Sequence, residues 1–360
     1  MRYHVIPAAQ LTSDLIEVWS DLQRADPDLD SPYFRPEFAQ VVASVRDTCE
    51  IAVLEEGGGP VGFLPYDRSK RNVGHPIAPD MTDFQGAIVQ QGVDWDAEQL
   101  ARDCGLSALY FDHLLVSQHP LRSYHLLEAP SPYLDLSEGF DAYKEKRAEK
   151  SASRLKTALR KARKMERELG PIRLEMFCDD PRIFQTMIEW KTKQYLRTRA
   201  RNVLSESWRV ELLERLLRER TDALRGVLSA LYAGDRLTSV HMGMMSHGVL
   251  HYWFPAYDVE LHKYSPGLVQ LIRTAQVASE LGITRVDLGK GPEPYKASLM
   301  SGATTVAEAS VDLRPVARRL KRVWFRTEKF VRSSRLQTPV RFVVRNLRAL
   351  TRIAQAGMSK

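Results

Sequence analysis

Two stretches of this chain are written on one plan, and that repetition limits the folds open to it. "EIAVLEEGGGPVGFLPYDRS" (Glu50–Ser69) reads as an apolar strand, a glycine-rich turn and a second strand. "GVLSALYAGDRLTSVHMGMM" (Gly226–Met245) repeats it, with Gly234-Asp235 at the turn. Each block is followed by a further strand, a helical stretch and a strand that carries an acid. The helix-to-strand junctions also match: "DCGLSALYFDHL" (Asp103–Leu114) stands beside "ELGITRVDLGKG" (Glu280–Gly291), with Gly105 and Gly282 as helix stops. The pattern predicts two similar α/β domains of the α+β kind with mixed sheets, produced by duplication.

Between the blocks runs "AYKEKRAEKSASRLKTALRKARKMERELGP" (Ala142–Pro171), almost free of helix breakers until Gly170-Pro171. Leu155, Leu159, Ala162 and Met165 recur at three- and four-residue spacing, which predicts a long linking helix. Its Lys/Arg face is either solvated or turned to an anionic ligand. The expected organisation is a first domain over 1–140, the basic helix over 141–171, a second domain over 172–310 and a tail over 311–360.

Charge singles out that tail. Residues 311–360 hold 14 Lys and Arg against Asp312 and Glu328, a net +12. The remaining 38 basic and 43 acidic residues leave a body of −5. Val316, Leu320, Val323, Trp324, Thr327 and Val331 fall on one helical face, and Val340, Val343, Val344, Leu347 and Leu350 resume it after Thr338-Pro339. A basic amphipathic tail with Trp324 and Phe342 suits an anionic membrane surface better than a nucleic acid, for which no motif is present. At 360 residues, 44% hydrophobic and 27% charged, the chain is globular. Three scattered cysteines (Cys49, Cys104, Cys178) argue against a disulfide framework or a metal site. With no signal-like or membrane-spanning run, the expectation is a cytoplasmic protein, peripheral at the inner face of the cytoplasmic membrane.

Chemistry concentrates in residues 241–296. Ser265, Pro266 and Gly267 precede the helical run Leu268, Leu271, Ile272, Ala275, Ala278, so a helix N-terminus with free N–H groups stands open to an anion. The matching helix of the first domain starts at "VDWDAEQL", where Asp94 and Asp96 would repel a phosphate. His241 and His251 lie on successive strands and are expected to face each other across the ladder. "TRVDLGKGPEPYKASLMSG" (Thr284–Gly302) takes a strand through Asp287 into a Gly/Pro turn and on to Tyr295-Lys296.

The stretches "SPYFRPEF" (31–38), "TDFQG" (82–86), "WKTKQYLRT" (190–198), "HYWFPAYD" (251–258), "YSPG" (264–267) and "DLGKGPEPYK" (287–296) together resemble the double-domain GNAT-superfamily acyltransferases. The group they resemble is the cellulose-biosynthesis type, relatives of the Fem peptidoglycan aminoacyl ligases. The resemblance covers about residues 1–310 and implies two tandem GNAT-like domains. The second would bind acyl-CoA as co-substrate, without a metal, and the degenerate first would help form the acceptor cleft. Tyr264, Ser265, Pro266, Gly267 and Leu268 then form the donor-binding turn, although "YSPG" departs from the family's Arg/Gln-x-x-Gly-x-Gly/Ala loop. Amine attack on a thioester needs a base, for which His241 or His251 is placed, with Asp287 to orient it. Lys296 would supplement a strand N–H at the oxyanion, and Tyr295 or Tyr264 would protonate the departing thiolate. The implied activity is N-acylation of a membrane-associated amine, either a long-chain lipid amine of sphingoid type or an amino sugar of a surface glycan. The alternatives are a Fem-like transferase using aminoacyl-tRNA, a non-catalytic accessory of polysaccharide synthesis, and a nucleic-acid-binding protein.

Overall fold

The computed structural model describes residues 1–291, 293–319, 321 and 325, without the side chains of residues 149–153. The first half of the chain runs through β1 (Arg2–Pro7), α1 (Ser13–Ala25), α2 (Pro36–Ala43), β2 (Cys49–Glu56), β3 (Gly59–Arg68), β4 (Val73–His75), β5 (Ile88–Val89), α3 (Ala97–Asp103) and β6 (Ala108–Leu115). It continues with β7 (His125–Asp135), α4 (Gly139–Leu169), β8 (Ile172–Glu175), α5 (Pro181–Thr198) and α6 (Ser207–Leu216). The remainder is β9 (Arg225–Ala233), β10 (Arg236–Ser246), β11 (Val249–Tyr257), α7 (Pro266–Glu280), β12 (Arg285–Asp287), α8 (Pro294–Leu299) and β13 (Gly302–Asp312).

Two compact units share these elements, and neither is a continuous piece of chain. One takes Met1–Ala25, Arg46–Ala129 and the segment from Thr305 onward; the other takes Asp26–Val45 and Pro130–Thr304. The boundaries expected at 140, 171 and 310 therefore do not mark where the units divide. The helix expected as a linker is α4, and it belongs wholly to the second unit. Leu155, Ala162 and Met165 of its predicted stripe are buried there, Leu159 partly so, among residues of α7 and β9. Apolar burial rather than span decides its place.

The units follow one topology. In the first, β1, β2, β3 and β4 pair antiparallel in that order, α3 crosses over, and β6 returns parallel to β4. In the second, β8, β9, β10 and β11 pair antiparallel, α7 crosses over, and β12 returns parallel to β11. Both crossover helices end alike. Leu106 N–H bonds Ala101 O at 2.8 Å and Gly105 N–H bonds Arg102 O at 2.9 Å. Ile283 N–H bonds Ala278 O at 2.9 Å and Gly282 N–H bonds Ser279 O at 3.1 Å. Gly105 and Gly282 sit at φ +65° and +81°, the left-handed cap that glycine adopts without strain. The duplication read from the sequence is thus carried into backbone hydrogen bonds.

Each sheet is closed by a strand from elsewhere: β13 lies antiparallel to β6, and β7 antiparallel to β12. At the end of β13, Asp312 is fully buried. Arg314 bonds it through Nε and Nη2 (both 2.8 Å), Tyr110 Oη donates at 3.0 Å, and Lys321 Nζ stands 3.6 Å away. Burial opposes its ionisation, but the hydrogen bonds of Arg314 and Tyr110 outweigh that and hold the carboxyl below its ordinary value. Arg318 pairs with Glu98 at 3.0 Å. The tail's first cations are therefore used within the first unit; Leu320, Arg322 to Trp324 and Arg326 onward, with the rest of the predicted amphipathic face, lie outside the described residues. Among the described residues no helix is long and apolar enough to cross a membrane.

Replacing Asp312 with Asn should cost roughly 1–3 kcal/mol in denaturant unfolding at neutral pH, the scale of a buried charged hydrogen bond. Because the folded carboxyl titrates below its unfolded value of about 3.9, that contribution is complete above this pH and fades as pH falls through the folded value. The stability gap between the two proteins should therefore close in acid, and a gap that is independent of pH would contradict the charged state.

Candidate functional site

Strands β11 and β12 share three parallel rungs: Val249–Arg285, Leu250–Val286 and His251–Asp287. There β12 stops, while β11 continues through Tyr252, Trp253, Phe254, Pro255, Ala256 and Tyr257. α7 leaves the end of β11 by way of a short 3₁₀ turn, Val259–Tyr264. The predicted residues gather around this parting, all of them within the second unit.

His241 and His251 are both fully buried, yet they do not face each other as expected. His241 stands opposite Pro255, and His251 opposite Met244. The register slips between the Met242 and Met244 rungs: two residues of β11, Tyr252 and Trp253, stand against the single Gly243 of β10, so the bulge is in β11 and Gly243 lies opposite it. A Cβ at Gly243 would lie 2.4 Å from His251 O and 2.7 Å from His241 Nε2, so only glycine lets the ring and the neighbouring strand approach this closely. His241 Nδ1 meets Ser229 Oγ at 3.2 Å, and Gln270 Nε2 donates to that hydroxyl at 3.3 Å and to Ser229 O at 3.0 Å. The ring stacks on Tyr252 at 3.8 Å and 9°, and its Nε2 and the Tyr252 hydroxyl are buried with no hydrogen-bond partner among the described residues. Burial drives the His241 pKa well below its ordinary value, and the charges of His251 and Lys191 push the same way. It is a neutral imidazole at working pH.

Asp287 is fully buried beside His251. Arg285 Nε lies 3.1 Å from its Oδ1, and Arg285 also pairs with Asp30. Burial raises the Asp287 pKa, while Arg285 and His251 oppose the rise. Tyr33, from the "SPYFRPEF" stretch, sets its ring against His251 at 4.9 Å and 68°.

The Gly/Pro turn after β12 is closed by Lys296. Its Nζ donates to Gly289 O at 3.1 Å and pairs with Glu293 at 3.2 Å, and the side chain is nearly buried. Gly289 is left-handed at φ +70°, and a Cβ on Gly291 would strike both Glu293 and Lys296. Tyr295 packs against the core, where burial and then Glu293 raise its pKa, so its phenol keeps its proton.

At the start of α7, Ser265 is left-handed (φ 53°, ψ 53°) and its hydroxyl caps nothing, contrary to its expected role. Its carbonyl instead accepts Leu268 N–H at 3.0 Å and Val269 N–H at 3.1 Å, and Pro266 takes the first helical position. Gly267 is open: an added Cβ would meet only Tyr257 Cδ1, at 3.4 Å. Leu268 packs on the core. Tyr264 is buried, and its hydroxyl donates to Glu168 at 2.8 Å, which commits it to holding α4. The helix α3 of the first unit contrasts as expected, since Asp96 Oδ1 accepts Gln99 N–H at 2.7 Å and fills its N-terminus with a carboxylate.

Sequence reasoning passed over Ser229, Tyr252, Gln270 and Lys191. Lys191 falls on the buried stripe of α5 with Phe184 and Met187, and a lysine at an apolar position of an amphipathic helix is the signal that could have found it. Burial lowers its pKa to about 8, with Glu293 opposing and Lys296 assisting.

Residues 152–297 match the family described as the acetyltransferase (GNAT) domain. The match runs from α4 into α8, so the parting strands and α7 lie within the matched stretch. No protein of curated function matches the chain. The whole chain is similar in fold to FemX, with 10% identity, 89% of this chain and 100% of that one covered, and a TM-score of 0.58. It is also similar to a C-terminal domain described as that of a lysylphosphatidylglycerol synthetase from Agrobacterium fabrum, with 13% identity, 85% and 93% covered, and a TM-score of 0.53. The expected likeness to Fem-type proteins stands at the level of fold; the cellulose-biosynthesis type finds no support in these likenesses. Among the described residues no cluster of acids, histidines and cysteines could hold a metal.

Gly243→Ala should destabilise the protein by about 1–3 kcal/mol, the range for overpacking a filled interior, as read by denaturant unfolding. An unchanged midpoint would mean that the bulge relaxes freely.

Proposed function

We propose that the second unit transfers an acyl group from acyl-CoA to the amine of a membrane-associated acceptor, a lipid amine or the amino sugar of a surface glycan. The observation that carries the reading is the GNAT-type domain over residues 152–297, in which β11 leaves β12 and leads into a helix whose first turn is open. The amide of Gly267 and the partial positive charge of α7 would receive the donor's phosphates. Lys161, Lys164 and Lys263 gather around Tyr264 beside that turn: Lys161 bonds Lys263 O, and the ammonium groups of Lys164 and Lys263 lie 5.9 and 4.7 Å from the Tyr264 ring.

In the reaction the acceptor nitrogen attacks the thioester carbon, and the C–N bond forms as C–S breaks. His251, with Asp287 as its rung partner, is assigned the proton of the tetrahedral intermediate. Tyr295 supplies a proton to the thiolate, and Lys296 adds positive charge beside the oxyanion. His241, held neutral, serves as a fixed hydrogen-bonding group. The competing donor is an aminoacyl-tRNA, favoured by the cationic outer face of α4 (Arg154, Lys156, Arg160, Lys161, Arg163, Lys164, Arg167).

Gly267→Asp tests the donor. The position has room for a side chain, so the fold should persist while CoA affinity falls about tenfold or more as the carboxylate meets the phosphates. Calorimetry showing unchanged CoA affinity in the folded variant would reject this site. The membrane is tested with a chain ending at Phe325, which retains the Asp312 cluster. Each basic residue near an anionic bilayer contributes about 1 kcal/mol, so the full chain should sediment with phosphatidylglycerol vesicles at low salt and the shortened chain should not. Equal sedimentation would remove the tail from acceptor recognition.

A further inference from the structure

Lys191 is the one buried cation of the site that the assignments above leave without a task. It comes from α5, is 8% exposed, and its Nζ makes a single hydrogen bond, to Pro255 O at 3.1 Å. Pro255 is the rung partner of His241, which sets the ammonium beside the bulged strand pair. The rings of Tyr195 and Phe254 lie 5.4 and 6.0 Å from it. Among the described residues no carboxylate comes within ion-pairing distance of it. The charged groups that act on it are Glu293 from the turn before α8 and Lys296 on α8, and its own charge is felt by His241 of β10.

This surrounding suits a group that changes protonation state. A carboxylate partner would lock the ammonium, whereas a carbonyl accepts equally from –NH₃⁺ and –NH₂. The deprotonated form retains the Pro255 contact and frees a lone pair. We propose that the Lys191 amine removes the first proton from the incoming ammonium of the acceptor, the step that must precede attack; the assignment rests on the acyl-transfer reading above. An alkyl amine arrives as R–NH₃⁺, which has no lone pair with which to attack. Neutral Lys191 takes one proton and leaves R–NH₂, which attacks the thioester carbon. The intermediate loses its second proton, the C–S bond breaks, and the sulfur leaves as the protonated thiol. Lys191 then releases its proton to solvent past Glu293, which is exposed. Ammonium and thioester thus become amide, thiol and one proton, with no other reactant.

The test uses the full chain, acetyl-CoA and two acceptors: a primary alkyl amine, protonated at neutral pH, and hydroxylamine, which is not. Lys191→Met and Lys191→Arg should both lose about 10²–10⁴-fold in kcat/KM with the alkyl amine while staying within a few-fold of wild type with hydroxylamine. In the wild type the alkyl-amine rate should rise with pH through about 8 and level above it. Arginine keeps the charge and the bond to Pro255 but cannot act as a base, so restoration of activity by Lys191→Arg would overturn the proposal. So would equal losses with both acceptors, which indicate a structural role. Carbon-13 NMR of the lysine-labelled chain, with the signal assigned by its loss in Lys191→Arg, gives a readout that needs no turnover. A midpoint near 8 supports the assignment, and the ordinary lysine value of about 10.4 overturns it. If wild type turns over neither acceptor, the acyl-CoA reading fails, and the NMR midpoint decides Lys191 separately.

Discussion

Beyond the His251–Asp287 rung, β11 and β12 part, and the groups of the site take their positions from that parting. A fourth rung would have satisfied the strand edge and closed the sheet. Instead the chain after Asp287 turns away through Gly289 and is pinned by Lys296, while β11 runs on to deliver α7. The bulge of β11 opposite Gly243 adds a second departure from regular pairing, and the missing side chain of Gly243 leaves room for the His241 ring and the backbone of His251 to approach it. Such irregularity is concentrated where a ligand must meet the main chain.

The buried charges near this parting fall into two kinds. Arg285 is shared between Asp287 and Asp30, a chain of opposite charges that fixes the segment Asp26–Val45 to the second unit. Lys191, by contrast, has among the described residues a carbonyl and two aromatic faces. Burying a charge without a counter-charge is costly, and a protein tolerates it where the group can shed the charge or where a ligand completes it. His241 shows the same economy in the opposite direction, since burial first, and then the charges of His251 and Lys191, keep it neutral.

How much of this was legible depended on whether the cause was local. Gly105 and Gly282, the hairpin at Gly234-Asp235 and the apolar stripe of α4 are local signals, and the fold follows them. A left-handed cap or a helical period is set within a few residues. The placement of the expected site residues in one unit was legible, and their geometry less so. His241, His251, Asp287, Tyr295 and Lys296 do lie in one unit, but the tight turn that pairs Ser246 with Val249 already sets His251 against Met244, and that register keeps the two histidines from facing each other. Ser265 reads as a capping serine and takes a left-handed backbone instead, with its hydroxyl capping nothing. Lys191 could not be assigned from charge alone, because its character comes from burial by β11 and from Glu293 and Lys296 a hundred residues away. The closing strands were hidden for the same reason: nothing in "GATTVAEASVD" says which unit it will complete.

That last arrangement bears on how the molecule is made. The N-terminal unit is closed by β13, which lies more than 180 residues after the rest of its sheet in the chain. On the ribosome, β6 must therefore wait with one edge unpaired until almost the whole chain has emerged, whereas the second unit already has β7 behind it and can complete itself first. The usual order of synthesis is thereby reversed: the unit begun first is finished last, and an early stop before Thr305 would release a chain whose exposed strand invites aggregation rather than a shorter working enzyme.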